Sequence, residues 1–149
     1  MARKPTARDR PDNTRPPLLE FCVQGQPVSA QGHNRARVAA WRQRIRAAAS
    51  AAWPVGRTAI EVAVELRITH YAEARVADMD NLIKPIQDAL QGIAYVNDKV
   101  VQDVTGNWRD INGRFPVRYM PLTLAAAFSD GREFVHIRLW LAPREEELG

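Results

Sequence analysis

From residue 60 to residue 68 the chain reads Ile-Glu-Val-Ala-Val-Glu-Leu-Arg-Ile, with an aliphatic side chain at every second position. Only an extended strand turns alternate residues to one side, so the run predicts a β-strand whose face of Ile60, Val62, Val64, Leu66 and Ile68 packs against helices. One half-buried strand needs partners. Residues 18–23 read as a short strand ended by Gly25 and Pro27, residues 99–105 as another, and residues 134–141 as a last alternating strand, with residues 122–128 extending the sheet. Between them, residues 36–53 are Ala-rich and carry Val38, Trp41, Ile45, Ala48 and Ala52 at spacings of three and four, which predicts a helix closed by Pro54 and Gly56. A second helix follows the strand at 60–68. The expected fold is therefore a single α+β (α/β) domain, a small mixed β-sheet with two main helices packed on it.

A chain of 149 residues builds one modest core. No apolar run approaches the ~18–20 residues that cross a bilayer, and the polar, Pro-containing start is unlike a signal peptide, so no membrane partner is expected. Cys22 stands alone, and no Cys/His cluster has zinc-binding spacing, which fits a cytoplasmic protein. Residues 1–17, with Pro5, Pro11, Pro16 and Pro17 among charges, read as a flexible basic arm; residues 18–144 form the domain; residues 145–149 are an acidic tail. Residues 110–120 read as an irregular extended connection rich in arginine.

The net charge of +4 hides an asymmetry. Up to Arg57 eleven Lys and Arg stand against three acids, whereas from Thr58 onward ten stand against fourteen. Between Phe21 and Ile60 there is no acid at all, while Arg35, Arg37, Arg42, Arg44, Arg46 and Arg57 are present. A basic region beside an acidic one suits a polyanionic substrate worked on by a metal ion. Trp41 and Trp53 have faces on which bases stack, but the place of Trp41 in the apolar stripe favours the core.

The acids cluster after the alternating strand. In extended backbone Asp78 and Asp80 leave on the same side and hold one hard cation. Leu82, Ile86, Ala89 and Leu90 then recur at helical spacing up to Gly92. Because proline is disfavoured inside a helix, the helix is expected to begin at 81–83 with Pro85 in its first turn and Asp80 or Asn81 as cap. Lys84 then lies within about one turn of the acids, at the helix's positive end, where a phosphate is welcome. Asp98, at the start of the next strand, is expected to meet the pair at one point, and Asp88 to pair with Lys84. His70, Asn81 and Asn97 are the neighbours placed to orient the ligands. Carboxylates without Cys favour Mg²⁺, with Mn²⁺ as a substitute, over zinc.

The run Asp78-Met-Asp80-Asn-Leu-Ile-Lys84-Pro-Ile-Gln-Asp88-Ala-Leu, followed by Asn97-Asp98-Lys-Val-Val, resembles the signature of the RusA-type Holliday-junction resolvases. The match is close over about 25 residues and looser from Leu19 to Pro143. The resemblance implies an Mg²⁺-dependent endonuclease that cleaves branched DNA as a homodimer, with Asp78, Asp80 and Asp98 as metal ligands and Lys84 as a further catalytic residue. It also implies DNA contacts from the loop holding Asn34 and Arg35, joined by Arg37, Arg42 and Arg46 of the basic helix, and a phage or prophage setting. Where many members carry two acids, this chain has Asn97 before Asp98. Two other readings stay open: a RusA-fold DNA-binding module without catalysis, and a nuclease for flaps or other branched DNA.

Overall fold

The structure, a computed structural model, describes residues 15–31, 34–75, 77–113 and 120–143. In chain order it runs β1 (Leu19–Gln24), α1 (Arg35–Ala52), β2 (Val64–Ala72), α2 (Met79–Leu90), a 3₁₀ turn (Asp98–Val100), β3 (Val101–Asp110), α3 (Leu122–Asp130) and β4 (Phe134–Leu141). The four strands form one mixed sheet in the order β1-β4-β2-β3, with β2 and β3 parallel and the other neighbours antiparallel. The expected α+β domain is thus observed, with a third helix. Among the described residues no helix is long and apolar enough to cross a membrane.

Side-chain alternation explains the layers. Leu19, Phe21 and Val23 of β1, Val64, Leu66 and Ile68 of β2, and Val135, Ile137 and Leu139 of β4 join Trp41, Ile45 and Ala49 of α1 and Leu82, Ile86, Ala89 and Leu90 of α2 in one core. On the alternate parity, Tyr71 stacks on Phe134 at 4.9 Å and meets Phe128 of α3 edge-on at 4.9 Å. His136 is buried on this side too, its Nε2 2.7 Å from Glu20 Oε2. Burial pulls the His136 pKa below its usual value, and the bond to Glu20 opposes that pull.

Three elements depart from the periodicity. The alternating strand begins at Val64, not Ile60, and continues through His70 to Ala72. Ile60 bridges Tyr95 instead, with its N–H on Ala94 O and its carbonyl taking Val96 N–H, and Val62 is exposed. Residues 122–128, expected in the sheet, lie within a helix: a short apolar run has no decisive period, three consecutive alanines favour α, and Gly131 at φ 76° closes the turn. The second helix starts at Met79 with Asp78 as N-cap, so Pro85 lies in its second turn rather than its first.

A proline there removes the N–H that would meet the carbonyl four residues back. That carbonyl belongs to Asn81, and it accepts the N–H of Ala30 at 2.8 Å. A loop from outside α2 therefore fills the gap in its ladder. At the other end Arg46 of α1 donates to Ala89 O at 2.9 Å and Gln91 O at 3.0 Å, while the buried Tyr95 hydroxyl donates to Gln87 O at 2.6 Å. Along the flank, a side chain at Gly106 of β3 would stand 2.8 Å from Ile83 Cδ1 and 3.1 Å from Met79 Cε, so glycine lets α2 lie directly on the edge strand.

Two substitutions check this seating. Gly106→Ala should cost about 1 kcal/mol, because both crowded atoms end mobile side chains, and Gly106→Val should cost more; chemical denaturation measures both. Arg46→Ala strands two carbonyls at the end of α2 and should lower stability by about 1–3 kcal/mol, with Arg46→Lys recovering part of it.

Candidate active site

The acid-bearing segment reaches its place by way of β2. After Ala72 the chain leaves the sheet and returns as α2, whose first residue, Met79, lies against Gly106 of β3. Asp78 is the N-cap, extended at φ −65° and ψ 139°, but its carboxylate makes no capping bond; Asp80 lies in the first turn, and both side chains are exposed. Neither Asp80 nor Asn81 caps the helix. Because the helix starts so early, Asp78 and Asp80 do not leave one extended segment together, as their spacing alone had indicated.

Asp98 opens the 3₁₀ turn before β3, and β3 starts level with Val64, the first residue of β2. What brings Asp98 to the helix is that α2 runs back along the sheet and passes Asp98 at mid-length. There Lys84 Nζ donates to Asp98 Oδ2 at 3.3 Å and to Asp88 Oδ1 at 2.8 Å.

Asp80, Lys84 and Asp88 are four residues apart and share one face of α2, so the site is a strip of alternating charge with Asp98 set beside its lysine. The bond to Asp88 first, and that to Asp98 second, hold the Lys84 pKa above the ordinary lysine value, so Lys84 stays a cation. More than half of the Lys84 side chain is in solvent, so these pairs contribute little to stability. They set positions. Asn97 Oδ1 accepts the Lys99 N–H at 2.9 Å, so Asn97 caps the turn that presents Asp98.

Carboxylate oxygens alone suit a hard divalent cation in donor chemistry. Among the described residues, however, no three acidic, His or Cys side chains stand close enough to hold an ion. Asp98 is drawn to Lys84 rather than grouped with Asp78 and Asp80. His70 is fully buried in β2, with its Nε2 3.0 Å from Glu133 Oε2, and makes its bond there rather than to any of the three aspartates. Asn81 is tied in through its main-chain carbonyl.

The basic side is built by α1. Asn34 Oδ1 caps it through Arg37 N–H at 3.1 Å, and Arg35 and Arg37 are exposed on its first turn. Arg42 is half-buried, and so is Arg46, which donates to the carbonyls ending α2. Trp41 is buried, and Trp53 donates to Arg57 O at 2.8 Å, so both indoles serve packing. Ala30 touches the start of α2 and Arg46 its end, so α1 and α2 run in the same direction. Their N-terminal turns, one carrying Arg35 and Arg37 and the other Asp78 and Asp80, lie toward the same edge of the domain.

Of the residues that build this site, spacing could have signalled only Gly106, as a lone glycine inside a strand pattern. Glu133 and Ala30 lie far in sequence from the groups they bind and carry no local mark. The expected basic arm and acidic tail fall mostly outside the described residues; Arg15 is described, and its carbonyl accepts Trp140 Nε1 at 2.8 Å. Residues 114–119 of the expected arginine-rich connection are likewise outside them.

No curated protein matches the chain. The family described as Endodeoxyribonuclease RusA matches residues 4–118, which takes in β1 through β3 and stops before α3 and β4. That span exceeds half of the 149 residues and includes every acid of the strip, the lysine between them and the arginine-bearing helix, and on it the chain belongs to the RusA family of endodeoxyribonucleases.

Proposed function

We propose that this chain is an Mg²⁺-dependent, structure-specific endonuclease that cleaves branched DNA, Holliday junctions above all, by phosphodiester hydrolysis, and that it works as a homodimer. The observation that carries the reading is the charged strip Asp80-Lys84-Asp88 with Asp98 at its lysine, whose first turn lies toward the same edge as the arginines that open α1. The family match supports nucleolytic chemistry, and the acid-free stretch from Phe21 to Ile60 supports a polyanionic substrate.

In this reading Asp78, Asp80 and Asp98 hold the ion, with Mn²⁺ able to replace Mg²⁺. The chemistry such an ion supplies is polarisation of a phosphoryl oxygen and acidification of water. Asp98 would be the ligand that lies beside Lys84, and Lys84, a cation on the same face, would meet the negative charge that grows on the phosphoryl group. Arg35 and Arg37, with Asn34 and Arg42 beside them, hold the DNA backbone. Asn97 keeps Asp98 in place through the cap on Lys99, so the missing second carboxylate lowers the charge at the site without disordering it. A symmetric pair of such domains merges two basic edges into one surface for a four-way junction.

A synthetic four-way junction tests the reading. Wild type should nick it only with Mg²⁺ or Mn²⁺, Asp80→Asn should abolish nicking while leaving binding within about twofold, and sedimentation should give a dimer. Binding with no metal-dependent nicking by wild type would favour a non-catalytic DNA-binding module. Faster cutting of flaps than of junctions at one salt concentration would reassign the substrate, since salt alone moves such affinities by orders of magnitude.

A further inference from the structure

Pro85 lies inside α2, in the middle of the charged strip, where proline costs a helix more than any other residue. What accompanies it is specific. The carbonyl that Pro85 leaves without its intrahelical partner, that of Asn81, lies one residue after Asp80 and takes the N–H of Ala30 at 2.8 Å. Ala30 ends a segment held at successive points: Gly25 N–H on Glu133 O at 2.9 Å, Pro27 buried, Val28 packed against the core. Four residues beyond Ala30, Asn34 caps α1 and the exposed Arg35 follows. Among the described residues the bond to Asn81 is thus the last anchor to another element before the basic helix, and it is made to the turn that bears Asp80.

We propose that Pro85 is a positioning residue: by deleting one amide from α2 it reserves the Asn81 carbonyl for Ala30, and this latch fixes the start of the arginine-bearing helix against the acidic turn. With any other residue at position 85 the helix would supply its own N–H to Asn81 and compete with Ala30 for the carbonyl. The register between the backbone-holding arginines and the acids would then loosen although every charged residue remained. The functional half of this inference rests on the DNA-cleaving reading above; the structural half does not.

Pro85→Ala separates the two. Alanine is a better helix former, so the variant should fold with an unchanged or higher melting midpoint. By amide exchange, Ala30 should lose at least about tenfold of its protection while amides of β2 and β4 keep theirs. In junction binding, Arg35→Ala should weaken wild type by about five- to tenfold, yet act within about twofold in the Pro85→Ala background, because the arginine is no longer held in register. An Ala30 amide unprotected in wild type, protection unchanged in the variant, or a uniform loss across the sheet would overturn the latch. An equal effect of Arg35→Ala in both backgrounds would overturn its role in positioning. Should wild type bind no branched DNA, the functional reading fails by itself, and the exchange measurement still decides whether the latch exists.

Discussion

How α2 is seated on the sheet governs where every charged group of the site points. The helix buries Leu82, Ile86, Ala89 and Leu90, each large aliphatic side chain contributing roughly 1.5–3 kcal/mol, and that burial fixes its rotation about its own axis. Once those residues face inward, Asp80, Lys84 and Asp88 face out. Axial position is set separately, by hydrogen bonds at both ends: Ala30 on Asn81 near the start, Arg46 and Tyr95 on the last carbonyls. Depth is set by Gly106, whose missing side chain lets Met79 and Ile83 rest on β3. Rotation, translation and depth are therefore determined by different residues, none of them on the charged face.

That division bears on how the chain uses its charge. The acid-free stretch supplies several arginines, but they have different employment. Arg46 closes a helix, and Arg44 donates to Gln24 O and lies over the Trp41 ring at 5.5 Å. Arg35 and Arg37 stay in solvent on the first turn of α1. A basic segment read by composition alone looks uniform; burial separates the arginines that hold the fold from those that remain for a partner. The same is true of the acids, where Asp88 is engaged by Lys84 within one helix and Asp98 is reached by that lysine from another element.

Much of the architecture was legible because it follows local periodicity. The alternation ending at Ile68 located a core strand, and the three- and four-residue spacing located both main helices. What escaped was whatever a distant residue decides. Ile60 alternates as well as Leu66 does, but Tyr95 takes it out of the sheet. Pro85 should have stood in the first turn, and Ala30, 55 residues away, makes its interior place tolerable. The apolar run 122–128 had no period that distinguishes strand from helix. Asp98 stands beside the middle of α2, where its partner is Lys84. The residue types of the site were readable from the sequence, and their mutual distances were not, since those depend on strand order and direction.

We propose that Asp78, Asp80 and Asp98 would share one divalent ion, and an experimental structure with Mn²⁺ tests it. One ion touched by carboxylate oxygens of all three residues at about 2.0–2.6 Å is expected, with Lys84 no longer bonded to Asp98. Mn²⁺ bound elsewhere, or no ion while Lys84 still bridges Asp88 and Asp98, would contradict it.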